Sequence, residues 1–372
     1  MRVGIIGGGQ LAQMMIQAGS ELGISFALLA LNGDESAPAI CPNVTRVAEF
    51  HAEVLEKFIA ACDVVTFDHE LVDPAVLASI DESARKVFPS SDTLRLAANK
   101  ARQREMLTGL NIAVPRFVVA TNALELGQAI DQLGLRAVAK AAHGGYDGRG
   151  VFYLDSKRDV EDLLNRMPAV FELIIEERLE LEAEIAVLVA RSQNGSMATY
   201  PVVRTVQVDS ICREVIAPSG IESELEREAL DLGMRIAEAV GSIGILAIEM
   251  FVVGGRILIN ELAPRPHNSG HLTIEACITS QFENHLRGVL GLPLGPTELL
   301  FASAAMVNIL GGDVPTDFDG QLASALHVEG ARIHLYHKSY RKGRKLGHVT
   351  VVGGDPGEAL SRARRSASLL AG

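Results

Sequence analysis

The chain has 372 residues, too many for one compact core, so we expect two or three packed subdomains with clefts between them. Its formal net charge of −12 repels polyanions, which argues against nucleic-acid binding and requires any phosphate site to rest on local basic clusters. Four scattered cysteines and the lack of an apolar run of about 18 residues argue against zinc, disulfides, a signal peptide and a membrane span; a cytoplasmic protein is expected.

The first part of the chain alternates apolar strands with amphipathic helices. Strands are predicted at residues 3–6, 25–30 and 63–67, and helices at 10–22 and 52–61. This order is typical of a parallel doubly wound sheet, so a Rossmann-like domain is predicted for residues 1–98.

A glycine-rich turn joins the first strand to the first helix. The sequence GGGQLA at 7–12 fits the G-x-G-x-x-A dinucleotide pattern, and Asp34 follows the second strand. The amides at the helix N-terminus could hold an anion, which makes Gln10 and Leu11 candidate substrate contacts. The alternatives are NAD binding and a turn that needs glycines for steric reasons alone.

A helix is predicted at 99–110, and a β-rich region follows to about residue 190. Within it Lys140 closes a strand at 136–139, and HGGYDGRG at 143–150 forms a loop before a strand at 151–154. Its glycines allow backbone amides to approach a ligand, although the Walker ending is lacking. We expect a flap over nucleotide phosphates; the alternative is a surface hairpin with a basic tip.

A hairpin follows a long helix predicted at 222–240, with strands at 245–253 and 256–262. A two-residue Gly254-Gly255 turn would place Glu249 opposite Asn260, whereas a three-residue loop would place it opposite Glu261. Either register gathers oxygen donors of the kind that Mg²⁺ takes when it bridges ATP phosphates. A structural ion pair with Arg256 or Arg265 is the alternative.

Two donor-rich segments follow. The loop PRPHNSGH at 264–271 carries His267 and His271 four residues apart, but its prolines and glycine argue against a helical zinc pair and favour contacts to a small anion. Near the C-terminus, Lys338, Arg344 and Lys345 belong to a basic stretch between strands predicted at 332–336 and 348–352. This stretch predicts a monophosphate clamp, with a solvated edge as the alternative. Disorder is expected for the Ala/Ser/Arg-rich tail after residue 355.

Five motifs together resemble the 5-(carboxyamino)imidazole ribonucleotide synthases of the ATP-grasp superfamily. They are GGGQLA at 7–12, HGGYDGRG at 143–150, NELAPRPHNSGH at 260–271, SQFENHLRGVLGLPLG at 280–295 and HKSYRKGRKLGH at 337–348. The resemblance spans residues 1–355. It implies an α/β (α+β) architecture with a Rossmann-like domain at 1–98, an ATP-grasp domain at 99–298 with a flap at about 115–185, and a small β-rich C-terminal domain at 299–372.

The resemblance also implies the reaction: ATP-dependent carboxylation of 5-aminoimidazole ribonucleotide by bicarbonate in purine biosynthesis, through carboxyphosphate, in a homodimer. Mg²⁺ would be held by Glu249 and Glu261. The implied ATP contacts are Lys100, Lys140, Gly144, Gly145, Gly148, Arg149, Gly150, Glu176, Glu177, Arg178, Leu179, Glu184, Gln207 and Asn260. The implied contacts to bicarbonate and the acceptor are Tyr146, Asp147, Arg265, His267 and Asn268. The implied contacts to the ribonucleotide are Gln10, Leu11, Glu70, Lys338, Arg344 and Lys345.

Some positions depart from the family pattern. Lys100 stands where arginine is common and Gln207 where histidine is common, while only Glu70 is carried over from the run 66–70. Three other functions are weighed against the carboxylation: an NAD-dependent dehydrogenase, a non-catalytic nucleotide sensor, and a formate-dependent glycinamide ribonucleotide transformylase. The dehydrogenase leaves the 143–150 loop and the glutamate hairpin unexplained.

Overall fold

A parallel sheet forms the N-terminal part of the computed structural model, which describes residues 1–70, 73, 76, 86–144, 150–314 and 318–371. Its described strands pair in the order β3-β2-β1-β4 and are β1 Arg2–Ile6, β2 Ser25–Leu31, β3 Val44–Val47 and β4 Val64–Phe67. The helices are α1 Gln10–Glu21, α2 Ala52–Ala60 and α3 Ser91–Ala97. The predicted alternation is confirmed, and β3 is an additional short edge strand.

A second sheet forms the flap subdomain. Its strands pair antiparallel in the order β5-β8-β6-β7 and are β5 Phe117–Ala120, β6 Ala137–Ala141, β7 Val151–Leu154 and β8 Leu173–Glu177. The helices α5 Ala123–Leu133 and α6 Lys157–Leu164 cover one face, after α4 Lys100–Gly109 has led in from the N-terminal domain. The region is therefore mixed rather than simply β-rich as the sequence predicted.

The central sheet runs through the rest of the chain. Its described strands follow the order β14-β13-β9-β11-β12-β15-β17-β16, with β10 paired to β9. They are β9 Ala183–Arg191, β10 Met197–Thr199, β11 Val203–Val208, β12 Ile211–Ala217, β13 Gly244–Val253, β14 Arg256–Ala263, β15 Ser303–Leu310, β16 Arg332–Leu335 and β17 Lys345–Gly353. The C-terminal strands β15, β16 and β17 thus extend this sheet, because β15 pairs with β12.

Helices cover this sheet and complete its cores. They are α7 Ser223–Val240, α8 Thr273–Ala276, α9 Gln281–Val289, α10 Phe318–Leu326 and α11 Pro356–Ala371. On α7, Ala229, Ile236 and Ala237 are buried against the strands of the hairpin. None of the helices in the described ranges combines the length and apolarity that crossing a membrane requires.

The expectation of a disordered tail is wrong. Helix α11 buries Ala359, Ala363 and Ala367, which are spaced four residues apart on one face, against β15 and β17. Arg364 adds a bidentate contact to Glu214 on β12, with N–O distances of 2.6 and 2.7 Å. The small residues that suggested low complexity instead form a closely packed helical stripe.

Candidate active site

A cavity of about 890 Å³ lies where the N-terminal domain, the flap sheet and the central sheet meet. Most of the predicted site residues line it: Gln10, Leu11, Glu70, Lys100, Lys140, Gly150, Glu176, Glu177, Arg178, Leu179, Glu184, Gln207, Glu249, Asn260, Glu261, Arg265, His267, Asn268 and Lys345. Gly144, Lys338 and Arg344 do not line it. Gly145, Tyr146, Asp147, Gly148 and Arg149 lie outside the described residues.

The glutamate hairpin combines the two registers that the sequence left open. Its turn has two residues, since Val253 pairs with Arg256, and this turn alone would set Glu249 opposite Asn260. A β-bulge between Glu249 and Met250 shifts the pairing, so that Glu249 faces Glu261 and Asn260 becomes the additional residue. The amide of Asn260 then donates to Glu249 Oε2 over 3.3 Å. The bulge therefore brings all three oxygen-bearing side chains to one place.

Burial of these carboxylates makes their charge costly. Burial, together with the charges of Glu261 and Glu184, raises the pKa of Glu249 to about 7. Burial also raises the pKa of Glu184 to about 7, although Lys140 acts in the opposite direction. Lys100 forms an ion pair with Glu261. Burial thus favours the neutral forms of Glu249 and Glu184, and a cation would be strongly attracted to the place where these two carboxylates meet Glu261.

Lys140 forms an ion pair with a buried glutamate, Glu176. Its ammonium lies 2.6 Å from Glu176 and donates to Asn260 Oδ1 over 3.0 Å. The other side of Glu176 is bound by Arg104, with a 2.7 Å bond from Nε. Burial raises the pKa of Glu176, but Lys140 and Arg104 outweigh it and hold the pKa at about 2. The Glu176 side chain therefore anchors Lys140, while Glu177 faces outward to Arg116 over 2.7 Å.

The loop at 264–271 presents three predicted residues to the cavity. Arg265 grips the carboxylate of Glu70 with two nitrogens, one of them at 3.0 Å. Burial opposes this charge, but Arg265 holds the pKa of Glu70 at about 2. The backbone N–H of Ser269 donates to His267 Nδ1 over 3.3 Å, so the neutral ring carries its proton on Nε2, which lies 3.7 Å from Glu249.

The main-chain amides of the glycine-rich turn are already bound by a side chain of the protein, Asp68. The carboxylate of Asp68 accepts the N–H of Gly9 and, over 2.9 Å, that of Ala12, at the N-terminus of α1. A Cβ on Gly9 would come within 2.4 Å of Asp68 Oδ2, so the glycine is needed for this approach. Gln10 and Leu11 still face the cavity.

The basic stretch divides into parts with different partners. Lys345 reaches the cavity, whereas Lys338 donates to Gln10 over 2.6 Å at its edge. Arg344 lies 2.7 Å from Glu35 of the N-terminal domain. Lys342 pairs with Asp313 over 2.5 Å on the surface, away from the cavity. The stretch therefore docks on the N-terminal domain through two of the three predicted cations.

The donor set fits a hard divalent cation that shares its ligands with a nucleotide. Glu249 and Glu261 offer carboxylate oxygens on facing strands, which suits Mg²⁺. Across the described residues, no group of three or more His, Cys, Asp or Glu is arranged to hold a metal by itself. Phosphate oxygens would have to complete the coordination, as they do where Mg²⁺ bridges a nucleotide.

Several residues around the cavity were missed by sequence reasoning. Asp68, Arg104 and Phe251 all support or line the site, and Lys140 lies 5.8 Å above the Phe251 ring. Phe251 could have been found, because it stands two residues from Glu249 and shares its face of the strand. Arg104 and Asp68 carried no such signal, since their partners are 72 and 56–59 residues away in sequence.

Comparison with known families matches the three parts of the chain in order. Residues 1–98 match the ribonucleotide synthetase preATP-grasp domain, residues 105–282 the ATP-grasp domain, and residues 304–362 the phosphoribosylaminoimidazole carboxylase C-terminal domain. The chain is 38% identical to the N5-carboxyaminoimidazole ribonucleotide synthase of Synechococcus elongatus, over 99% of this chain and 93% of that protein. The Bacillus subtilis synthase is 34% identical, over 94% and 91%.

Solved structures agree with these relatives. The Thermotoga maritima N5-carboxyaminoimidazole ribonucleotide synthetase is 38% identical with a TM-score of 0.86, covering 99% of this chain and 98% of that one. The Aspergillus clavatus enzyme in complex with ADP and 5-aminoimidazole ribonucleotide is 31% identical with a TM-score of 0.90, covering 99% and 98%. The chain belongs to the N5-carboxyaminoimidazole ribonucleotide synthase family of ATP-grasp enzymes.

Proposed function

We propose that the protein carboxylates 5-aminoimidazole ribonucleotide with bicarbonate, cleaving ATP to ADP and phosphate, in de novo purine biosynthesis. The observation that carries this proposal is the convergence of Lys100 and Lys140 with Glu249 and Glu261 in one cavity. The same cavity includes the loop with Arg265. Relatives of the chain are named as synthases of N5-carboxyaminoimidazole ribonucleotide, and the Aspergillus clavatus enzyme was solved with ADP and 5-aminoimidazole ribonucleotide.

ATP occupies the part of the cavity between the flap sheet and the central sheet. Its purine fits the apolar end lined by Pro115, Val138, Leu179, Leu181 and Phe251. The main chain at 176–179 is proposed to contact the adenine, and the carboxylate of Glu184 is proposed to bind the ribose hydroxyls. Because the Glu176 side chain is committed to Lys140, it positions the ammonium that meets the phosphates.

Lys100, Lys140, Asn260 and Gln207 are proposed to contact the phosphates, and the loop at 143–150 is the expected cover, although residues 145–149 lie outside the described residues. Bound Mg²⁺ at Glu249 and Glu261 would neutralise phosphate charge and align the γ-phosphoryl group. The remaining work of the protein is positioning, because phosphoryl transfer to bicarbonate requires no protein nucleophile.

The reaction proceeds in two displacements. A bicarbonate oxygen attacks the γ-phosphorus, ADP leaves, and carboxyphosphate forms. The amine of the ribonucleotide then bonds to the carboxyl carbon, either of carboxyphosphate itself or of the CO₂ that it releases. Phosphate leaves in both cases, and the amine gives up a proton. Arg265, His267 and Asn268, with Tyr146 and Asp147, are proposed to hold the bicarbonate and the amine, where hydrogen-bond donors stabilise developing oxyanions. Carboxyphosphate reacts with water, so the site must be covered during this interval.

The ribonucleotide phosphate is bound at the basic edge. Lys338, Arg344 and Lys345 supply the charge, and Arg344 can offer a bidentate contact. Gln10 and Leu11 contribute from the N-terminus of α1, beside Glu70. The docking of Lys338 on Gln10 supports a site that is shared between the N-terminal and C-terminal parts of the chain.

Phosphate release from MgATP and bicarbonate, with and without 5-aminoimidazole ribonucleotide, tests the proposal. Strong stimulation by the ribonucleotide with an acid-labile carboxylated product is the expected result. Hydrolysis that responds instead to formate and glycinamide ribonucleotide would favour the transformylase, which the named relatives do not favour. Reduction of bound NAD, or nucleotide binding without turnover, would favour the dehydrogenase or the sensor.

The assembly, compartment and domain limits are part of the same proposal. We infer a cytoplasmic homodimer, with domains at 1–98, 99–298 and 299–372. The matched ranges 1–98, 105–282 and 304–362 support the limits, and the four cysteines are free and buried, which suits a reducing compartment. Light scattering of the purified protein at twice the 39.7 kDa chain mass is expected, and a monomer would contradict the dimer.

A further inference from the structure

The loop at 264–271 stands on a buried amide from helix α9. Gln281 is fully buried, and its side chain grips the backbone of His267 from both sides. The amide oxygen accepts the His267 N–H over 2.8 Å, and the amide nitrogen donates to the His267 carbonyl over 2.7 Å. The same nitrogen lies 3.1 Å from His271 Nδ1. One side chain therefore fixes the main chain at His267 as a neighbouring strand would.

The surrounding packing leaves Gln281 little freedom. Its own N–H donates to Thr273 Oγ1 over 2.9 Å. A Cβ added to Gly270 would lie 2.6 Å from the Gln281 amide, so the loop passes directly over it. Loss of the amide would leave the N–H and C=O of His267 without these partners, which is unfavourable for backbone groups away from water. We then expect the loop at 264–271 to shift from its present position.

Asn268 is held in the same way from the central sheet. Its amide donates to Asn308 Oδ1 over 3.0 Å, and Asn308 donates back to Asn268 Oδ1 over 2.8 Å. Asn308 also donates to the Cys212 carbonyl over 2.9 Å, which fixes it to β12. Both amides are buried, so the orientation of the Asn268 side chain is set by Asn308.

We propose that Gln281 is a positioning residue for the carboxylation, because it fixes the main chain of His267, and thereby holds His267 and Asn268 over the bicarbonate site, with Asn308 as the second support. The inference rests on the proposed function, since His267 and Asn268 matter only if they meet bicarbonate or the acceptor. It assigns the SQFENH segment a part in the reaction although Gln281 itself does not line the cavity.

The same helix offers a matched control for Gln281→Met. Asn284 is also fully buried, and its side chain likewise makes three hydrogen bonds: to the Tyr200 hydroxyl at 2.8 Å and to the carbonyl and N–H of Gly295 at 3.1 and 2.8 Å. Asn284→Leu therefore removes a comparable set of hydrogen bonds, including those to the backbone of Gly295, at a site away from the cavity.

Thermal unfolding and steady-state kinetics of both variants separate positioning from stability. We expect both to lower Tm, but only Gln281→Met to lower kcat, by about 10- to 100-fold, with the KM for ATP within about twofold of the parent. The ADP formed per carboxylated product should also rise, since misplaced donors leave carboxyphosphate to water. Equal kcat losses in the two folded variants, or a kcat within about twofold of the parent for Gln281→Met, would overturn the proposal.

If Gln281→Met does not fold, Asn308→Ala carries the test through Asn268. A lower kcat and a higher ADP-to-product ratio, with an unchanged KM for ATP, are expected. An unchanged kcat together with an unchanged ADP-to-product ratio would count against the proposal. Failure of the proposed function is seen separately, because the parent protein itself would then form no carboxylated ribonucleotide.

Discussion

The glycine-rich turn and the glutamate hairpin both contribute residues to the cavity, but the chain's own contacts treat them differently. At the turn, Asp68 takes the amides that an incoming anion would need. At the hairpin, Glu249 and Glu261 face each other across two strands, and burial raises the pKa of Glu249. The main-chain amides of Gly9 and Ala12 are therefore already bound by the chain, whereas the carboxylate of Glu249 is left for a ligand to neutralise.

The largest expected effect follows from Glu249→Gln, which removes a charge from the open site. Turnover should fall roughly 10²- to 10³-fold, on the scale of a lost electrostatic contact to the reacting groups. Glu214→Gln is the matched control, because Glu214 is a buried carboxylate on the same sheet that pairs with Arg364 and does not line the cavity. Glu214→Gln should destabilise the fold but keep kcat within about threefold. Equal losses of kcat in Glu249→Gln and Glu214→Gln would contradict a special role for the carboxylate that faces the cavity.

Arg344→Ala tests the basic edge, where the cations have partners yet remain partly exposed. The KM for 5-aminoimidazole ribonucleotide should rise about tenfold, which corresponds to about 1.4 kcal/mol, with little change in bicarbonate-stimulated ATP hydrolysis. Lys342→Ala, which breaks an exposed pair with Asp313, should leave that KM unchanged. A fall in ATP hydrolysis alone would place Arg344 with the nucleotide rather than with the ribonucleotide.

Local sequence patterns were sufficient to predict the structural features that depend on residues close together in the chain. The first parallel strands, helix α1, the hairpin and the gathering of Glu249, Asn260 and Glu261 all follow from periodicity and turn chemistry. The register itself did not, because turn length alone predicts Glu249 opposite Asn260, and no local pattern marks the bulge that places Glu249 opposite Glu261. The capping of α1 by Asp68 likewise required a contact across the sheet, which one sequence does not display.

The tail and the amide supports show a second limit. Composition suggested disorder after residue 355, yet Ala359, Ala363 and Ala367 pack in the core with a helical period. In the SQFENH segment, Gln281 and Asn284 have similar residue type and burial, but one binds the backbone of the active-site loop and the other the backbone of the buried Gly295. Only the tertiary structure distinguishes them, because their partners lie at 267 and 295.

Glu176 is intermediate between the turn and the hairpin. It lines the cavity, as the hairpin glutamates do, but its carboxylate already forms ion pairs with Lys140 and Arg104. Its pKa is held at about 2, below the ordinary value, so its stabilising contribution is present above about pH 4.5 and lost as the pH falls toward 2. The difference in unfolding free energy between the parent and Glu176→Gln should therefore narrow by about 1 kcal/mol between pH 4.5 and 3.5. Urea titrations at these two pH values measure it, and a constant difference would contradict the charged triad.

Asp68→Asn should have the smallest effect and bears most directly on the comparison. Asparagine keeps one acceptor oxygen, so it can still accept the Ala12 N–H while the second carboxylate contact, to Gly9, is lost. The unfolding free energy should fall by about 0.5 kcal/mol, at the low end for a lost helix cap, and kcat should change less than threefold. Urea unfolding and turnover of the same preparation measure both. If instead kcat fell as far as in Glu249→Gln with stability unchanged, Asp68 would belong to the reaction, and the turn would be as much a part of the open site as the hairpin.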